Sequence, residues 1–249
     1  MWGARLESLS LTEKSDGSDD YTADFTHDSR QETNIGRPAN RWNLRYLDKV
    51  FVRTEKDRKC LTYTSAPVRR DIEVTGHPIV RLRVSSTADT ADFFVCLEDV
   101  DENGEAYFVT DGMLRANFAN TVPNEDILHP DSNIDVLPDL PWHGFRKADY
   151  IDGVFKNGSI VELVIDLMPT SWVFKKGHQV RVSIANADWP TFILHPDLSP
   201  TNEPGDPNNI IPAITMHRSS GLRSSVELPI VPTEKMKDDK ALKWISEQF

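Results

Sequence analysis

The chain has 249 residues, with 28 lysines and arginines against 39 aspartates and glutamates, a net charge of −11. That acid surplus argues against a protein that tracks nucleic-acid phosphates or docks on an anionic membrane, and the longest purely apolar run, Phe93 to Leu97, is far below the ~20 residues of a membrane helix. At 39% hydrophobic and 27% charged the composition is that of a soluble globular protein, which at this length buries roughly three quarters of its unfolded surface without a metal or disulfide staple.

Residues 1 to about 45 are polar, with a short Leu9/Leu11 alternation, and read as an N-terminal arm or linker. Met1 to Leu11 contains Arg5 and Glu7 and no apolar h-region, so it does not read as a secretory signal. Cys60 and Cys96 make no disulfide framework; read as buried free thiols, they point to the cytoplasm. From about residue 46 to 232 the chain carries short alternating strands. In Ile79 to Ser86, Val80, Leu82 and Val84 share one face while Arg81, Arg83 and Ser85 take the other. Asp92 to Val100 is apolar on both faces, as expected of a central strand in a sandwich. Glu102-Asn103-Gly104-Glu105 follows, with the chemistry of a two-residue type I′ hairpin leading into Ala106 to Thr110.

Residues 119 to about 158 form a Pro-rich insertion with little periodicity, carrying Trp142, Phe145 and Tyr150. Alternation returns at Val161, Leu163, Ile165 and Leu167, with Glu162 and Asp166 opposite. After the turn Lys175-Lys176-Gly177 it recurs at Val180, Val182 and Ile184, with Arg181 and Ser183 opposite. Val226, Leu228 and Ile230 close the series, and Pro229 within that strand favours a sheet edge. Residues 233–249 are predicted as a short C-terminal helix, with Leu242, Ile245 and Phe249 at i, i+3 and i+7. The pattern predicts an all-β protein, a jelly-roll β-sandwich with a long loop insertion.

Catalytic apparatus is hard to find. The G-x-S-x-G elbow that exposes a nucleophilic serine is absent, and Ser18, Ser159 and Ser220 sit in ordinary turns or the polar arm. Asp99 to Gly104 begins like a calcium loop, but the closing bidentate position is Thr110, and a hairpin turn explains the segment better. The seven histidines show no H-x-x-x-H spacing, so no metal is expected, and no Gly-rich loop follows a strand, so no nucleotide cofactor is expected. Trp142, Trp172 and Trp189 fall in loops or at strand ends, where an indole either anchors a ligand or staples a loop to the sandwich. Arg81, Arg83 and Arg181 either form a basic stripe or pair across strands with Glu162, Asp166 or Glu227.

Three blocks resemble a known family. The first runs Leu61-Thr62-Tyr63-Thr64-Ser65-Ala66-Pro67, Ile72 to Gly76, Val80-Arg81-Leu82, Thr90 to Val95, Leu97-Glu98-Asp99-Val100 and Val109-Thr110-Asp111-Gly112. The second joins Ile165 to Ser171 with Val173 to His178 and Val180 to Ile184; the third is His217-Arg218 with Val226 to Ile230. Over about residues 46 to 232 they resemble the C-terminal domain of the X-Pro dipeptidyl-peptidase, cocaine-esterase and α-amino-acid ester hydrolase family of serine hydrolases. The resemblance implies a galactose-binding-domain-like jelly roll. In the family that domain packs against an α/β-hydrolase domain holding the serine, aspartate and histidine, helps wall the acyl or peptide pocket, and often joins oligomer contacts. Only the polar arm precedes the match here, so the resemblance carries no catalytic residue onto this chain. The expectation is an inactive accessory domain whose partner is an α/β-hydrolase domain, or, by self-association, a homo-oligomer. The alternative is a free-standing carbohydrate- or small-ligand-binding module using Trp142, Trp172 and Trp189.

Overall fold

The computed structural model describes residues 6–10, 17–32, 38–39, 52–123, 140–219, 221 and 223–231. The predicted C-terminal helix lies outside them. The fold is all-β. In chain order the strands are β1 (Leu6–Ser10), β2 (Ser18–Thr22), β3 (Gln31–Glu32), β4 (Pro38–Ala39), β5 (Leu61–Thr64), β6 (Ile72–Gly76) and β7 (Ile79–Ser86). There follow β8 (Asp92–Val100), β9 (Ala106–Arg115), β10 (Val161–Asp166), β11 (Thr170–Phe174), β12 (Gln179–Ala185), β13 (Ala213–His217) and β14 (Ser225–Pro229).

Two sheets face each other. One has the order β1-β14-β7-β13-β2, with β10 on the other side of β7; the second is β5-β12-β8-β9. Strand β7 is the hub of the first. Its N-terminal half pairs with β14 and its C-terminal half with β13 along the same edge. Between those two partners the Arg83 amide donates to Ser224 Oγ at 3.0 Å, so a hydroxyl fills the gap in the ladder. A pair β6–β11 flanks the sandwich and is tied to it where Val74 bridges Ile230.

Alternation explains the core. Leu82, Leu163, Ile214 and Met216 from the first sheet meet Phe93, Leu97, Val182 and Ile184 from the second in one buried cluster. Each such side chain contributes roughly 1.5–3 kcal/mol by leaving water. Strand β8 is buried on both faces, because residues 52–60 lie over its outer side. At Gly112 the second sheet approaches the chain leaving β10 so closely that a Cβ would run into the Asp166 carbonyl oxygen.

Three local expectations change. Asn103 does not take positive φ; Gly104 alone does, at 84°. Asp101 Oδ1 accepts the amides of Asn103 and Glu105 at 2.9 Å, which favours a three-residue loop closing on Gly104 over the type I′ turn. Strand β14 is not an edge, since β1 covers it; Pro229 is tolerated because the β7 pairing ends at Glu227. Finally, the polar N-terminal stretch supplies β1 and β2 to the first sheet. Strand β2 has no apolar stripe, and polar contacts fix it instead. Asp19 takes Arg218 Nε at 2.7 Å and the Tyr63 hydroxyl at 2.8 Å, and Thr215 donates to Asp20 at 2.6 Å.

Candidate functional site

A hydrolytic centre needs a hydroxyl or thiol, an imidazole and a carboxylate in hydrogen-bonded line. Thr90, His195 and Asp197 come nearest. Thr90 Oγ1 is 3.1 Å from His195 Nε2, but the Asp197 amide donates to His195 Nδ1 at 3.2 Å. That leaves Nδ1 as the acceptor and Nε2 as the donor, so the imidazole gives a proton to Thr90 and cannot remove one. The Thr90 hydroxyl donates onward to Asn117 Oδ1, and Asp197 Oδ2 stands 4.0 Å off, largely in solvent. Burial lowers the His195 pKa and keeps the ring neutral. The chain of bonds is a strut between the loop after β12 and the start of β8.

Two other imidazoles are partial matches. His217 Nε2 meets Ser85 Oγ at 3.0 Å on the outer face of the first sheet, with no carboxylate on its other nitrogen among the described residues. His178 Nδ1 donates to Asp99 Oδ1 at 2.9 Å, and the Trp172 indole donates to Asp99 Oδ2 at 2.9 Å. Here no nucleophile meets the imidazole among the described residues. Asp99 is a buried node that ties β11 and the start of β12 to β8.

The structure disperses the three tryptophans. Trp172 packs on the main core beside the start of β12. Trp189 follows the far end of β12, donates to the Asn202 carbonyl at 3.1 Å and packs on a second small core with Phe25, Leu194 and Leu198. Seven residues of β12 lie between those ends, about 20 Å of strand at ~3.3 Å per residue. Trp142 is half-buried beside His143, whose ring nitrogens lie 2.9 Å from the Val164 carbonyl and 3.2 Å from that of Asn120, pinning the insertion to β10. Of the arginines, Arg81 pairs with Glu227 at 2.7 Å and Arg83 with Glu162 at 3.0 Å, while Arg181 turns to Asp57 at 3.1 Å.

An apolar groove of about 310 Å³ opens at the end of the sandwich where β8 begins and β9 ends. One wall holds Phe94 and Phe192, ring centroids 5.3 Å apart; the other holds Phe118 and Phe145, also 5.3 Å apart. Ile193 and Met113 complete it, and the paired side chains of Asp92 and Arg115, joined at 2.7 and 2.9 Å, also line it. Phe145 is 60% exposed and Ile193 69% exposed. Phe145 also has φ +53°, a left-handed conformation that costs a bulky residue roughly 1–3 kcal/mol. Its neighbour Arg146 holds it there, with three bonds to the Asp149 carboxylate of 2.8–3.0 Å. The groove was not legible in advance, because its walls come from four distant segments.

Comparison with known proteins gives a consistent picture. A family model described as the X-Pro dipeptidyl-peptidase C-terminal non-catalytic domain matches residues 4–227. A protein named as a serine esterase in Mycobacterium bovis is 34% identical over 219 residues, which are 86% of this chain and 30% of that protein. The cocaine esterase of a Rhodococcus species is 28% identical over 132 residues, 53% of this chain and 18% of its own length. Among solved structures, an aminopeptidase from a marine-sediment Thaumarchaeota archaeon superposes with a TM-score of 0.64 at 17% identity, over 91% of this chain and 37% of its own. An α-amino acid ester hydrolase gives 0.63 at 16%, over 91% and 36%. At those identities the solved structures speak to the fold alone. The chain spans at most about a third of the curated relatives it matches.

Proposed function

The chain belongs to the X-Pro dipeptidyl-peptidase C-terminal non-catalytic domain family, and on that footing we propose that it is the accessory β-sandwich of a serine ester or peptide hydrolase. In this reading it docks on an α/β-hydrolase domain and walls that domain's acyl or peptide pocket, as a galactose-binding-like jelly roll. The carrying observation is the family match, together with the failure of any hydroxyl, imidazole and carboxylate among the described residues to align for catalysis. A docked sandwich contributes by excluding water, which strengthens every electrostatic interaction in the pocket behind it. The exposed Phe145 and Ile193 support the docking face being the groove at the start of β8, since apolar surface of this kind on a soluble domain marks an interaction site. Length supports such a partner, since about 70% of the mycobacterial relative lies outside the match. The purified chain should neither hydrolyse p-nitrophenyl esters or X-Pro amides nor react with a fluorophosphonate probe. Covalent labelling of any of its serines would overturn the proposal.

A further inference from the structure

The outer face of the sheet β5-β12-β8-β9 is covered by residues 52–60. Val52 bridges Tyr107, the Arg53 amide donates to the Ala106 carbonyl at 2.8 Å, and a short turn, Lys56–Lys59, leads into β5. Under this segment lie charges. The Arg53 side chain is 2% exposed and that of Glu98, on β8, is 0% exposed. Glu98 spends a single oxygen on both its donors: Oε1 accepts from Arg53 Nε at 3.1 Å and from Ser183 Oγ at 2.6 Å. Its Oε2 has no donor. Buried Asp57 has the matching problem. Its Oδ2 accepts from Arg181 Nη1 at 3.1 Å, while Oδ1 has no hydrogen bond and Arg53 Nη2 stands 3.6 Å away.

These two carboxyl groups flank the same guanidinium, with Arg53 Nε on Glu98 at 3.1 Å and Nη2 3.6 Å from Asp57, and each acts on the other's charge. Ionised, both are acceptors only, and each keeps one buried oxygen without a donor, an arrangement that costs each group its desolvation. One proton resolves both defects. We propose that Glu98 is a protonated acid at neutral pH, donating to Asp57 and closing the chain Arg53–Glu98–Asp57–Arg181, so that a single shared proton latches residues 52–60 to the sheet and its loss in mild alkali loosens them.

Glu98 is the better host for the proton. Asp57 has guanidinium groups on two sides, whereas Glu98 has one and is sealed from water. Burial pushes the Glu98 carboxyl up to about 8, with the neighbouring Asp57 charge acting in the same direction and Arg53 opposing. The other groups around it do not supply a cation. Burial pushes the Cys60 thiol up to about 12, and burial and Arg53 lower the His27 pKa, so both stay neutral. Cys96 shares the Glu98 face of β8, and β9 presents Asp111 opposite Cys96 and Tyr107 beside the bridge to Val52.

The sign follows from linkage. The folded state keeps a proton that the unfolded chain releases above the ordinary carboxyl range, so this contribution to stability is complete below that range. It is lost as pH rises to about 8 and does not change further. The test uses the whole chain with ¹³C-labelled glutamate, compared with Glu98→Gln, whose amide N–H₂ donates to Asp57 at every pH. At neutral pH the wild type should show a protonated glutamic-acid carbonyl stretch in isotope-edited infrared spectra, absent from the variant. Between about pH 6 and 8, the unfolding equilibrium constant of the wild type should rise relative to the variant by up to ~10-fold per pH unit, the slope of one proton. Amide exchange of residues 52–60 should accelerate relative to the variant over the same interval. A spectrum with only ionised glutamates at neutral pH, or stability and exchange profiles that run parallel in the two proteins, overturns the proposal. Should the variant not fold, the infrared spectrum of the wild type still decides.

Discussion

Asp99 shows how one buried carboxylate organises its neighbourhood. It draws the Trp172 indole and the His178 imidazole to its two oxygens, and both donors belong to elements other than its own strand. Trp172→Phe keeps most of the packing and leaves Asp99 Oδ2 without its donor, which should cost about 1–3 kcal/mol. Urea unfolding checks this; an unchanged midpoint would show that water replaces the indole at no loss. The surface arginines weigh less. Arg81–Glu227 and Arg83–Glu162 are each about a third open to solvent on at least one side, so each pair is worth under ~1 kcal/mol. Their cross-strand pairing was legible from alternation, because opposite charges on adjacent outward positions have few other places to go. Arg181 was not, since its partner Asp57 comes from a segment that crosses the sheet rather than from a neighbouring strand.

At the scale of elements, Gly112 is where β9 meets the chain leaving β10. Gly112→Ala drives a Cβ into backbone, which cannot swing aside as a side chain would, and should cost about 1–3 kcal/mol or more. Gly205, by contrast, has open space around it, and Gly205→Ala should stay within ~0.5 kcal/mol. Thermal unfolding of the two variants makes the comparison, and equal losses would refute the close approach. Strands β7, β10 and β12 were readable from sequence because their core-facing residues are apolar at a period of two, with arginines, acids or serines between most of them. Strand β8 was readable for the opposite reason, its apolar residues falling on both faces. Strand β2 was not readable: its partners Arg218 and Thr215 lie almost 200 residues away, and local pattern carries no trace of them. The groove failed for the same reason, since Phe94, Phe118, Phe145 and Phe192 each look like an isolated loop or strand aromatic until the fold gathers them.

Among the described residues a buried core adjoins an open apolar groove at the start of β8. The family is that of the X-Pro dipeptidyl-peptidase C-terminal non-catalytic domain, and the docking proposed above would cover that groove. Replacing Phe145 and Ile193 with aspartate should reduce binding of an environment-sensitive apolar dye and any self-association seen by sedimentation, with the fold retained because both side chains are mostly exposed. Dye binding that survives both changes would move the sticky surface elsewhere.

The seam between β1 and β14 has a mechanical meaning. Leu6 faces Pro229 and Ser10 faces Ser225, so the outermost ends of the two strands lie side by side. Their hydrogen bonds run across the strands. Tension applied through those ends therefore pulls along the bonds and opens them singly, like a zipper, instead of sharing the load as a pair pulled lengthwise would. Stretched in this way, the sandwich should give way first at β1, at low force, with the β5-β12-β8-β9 sheet still closed.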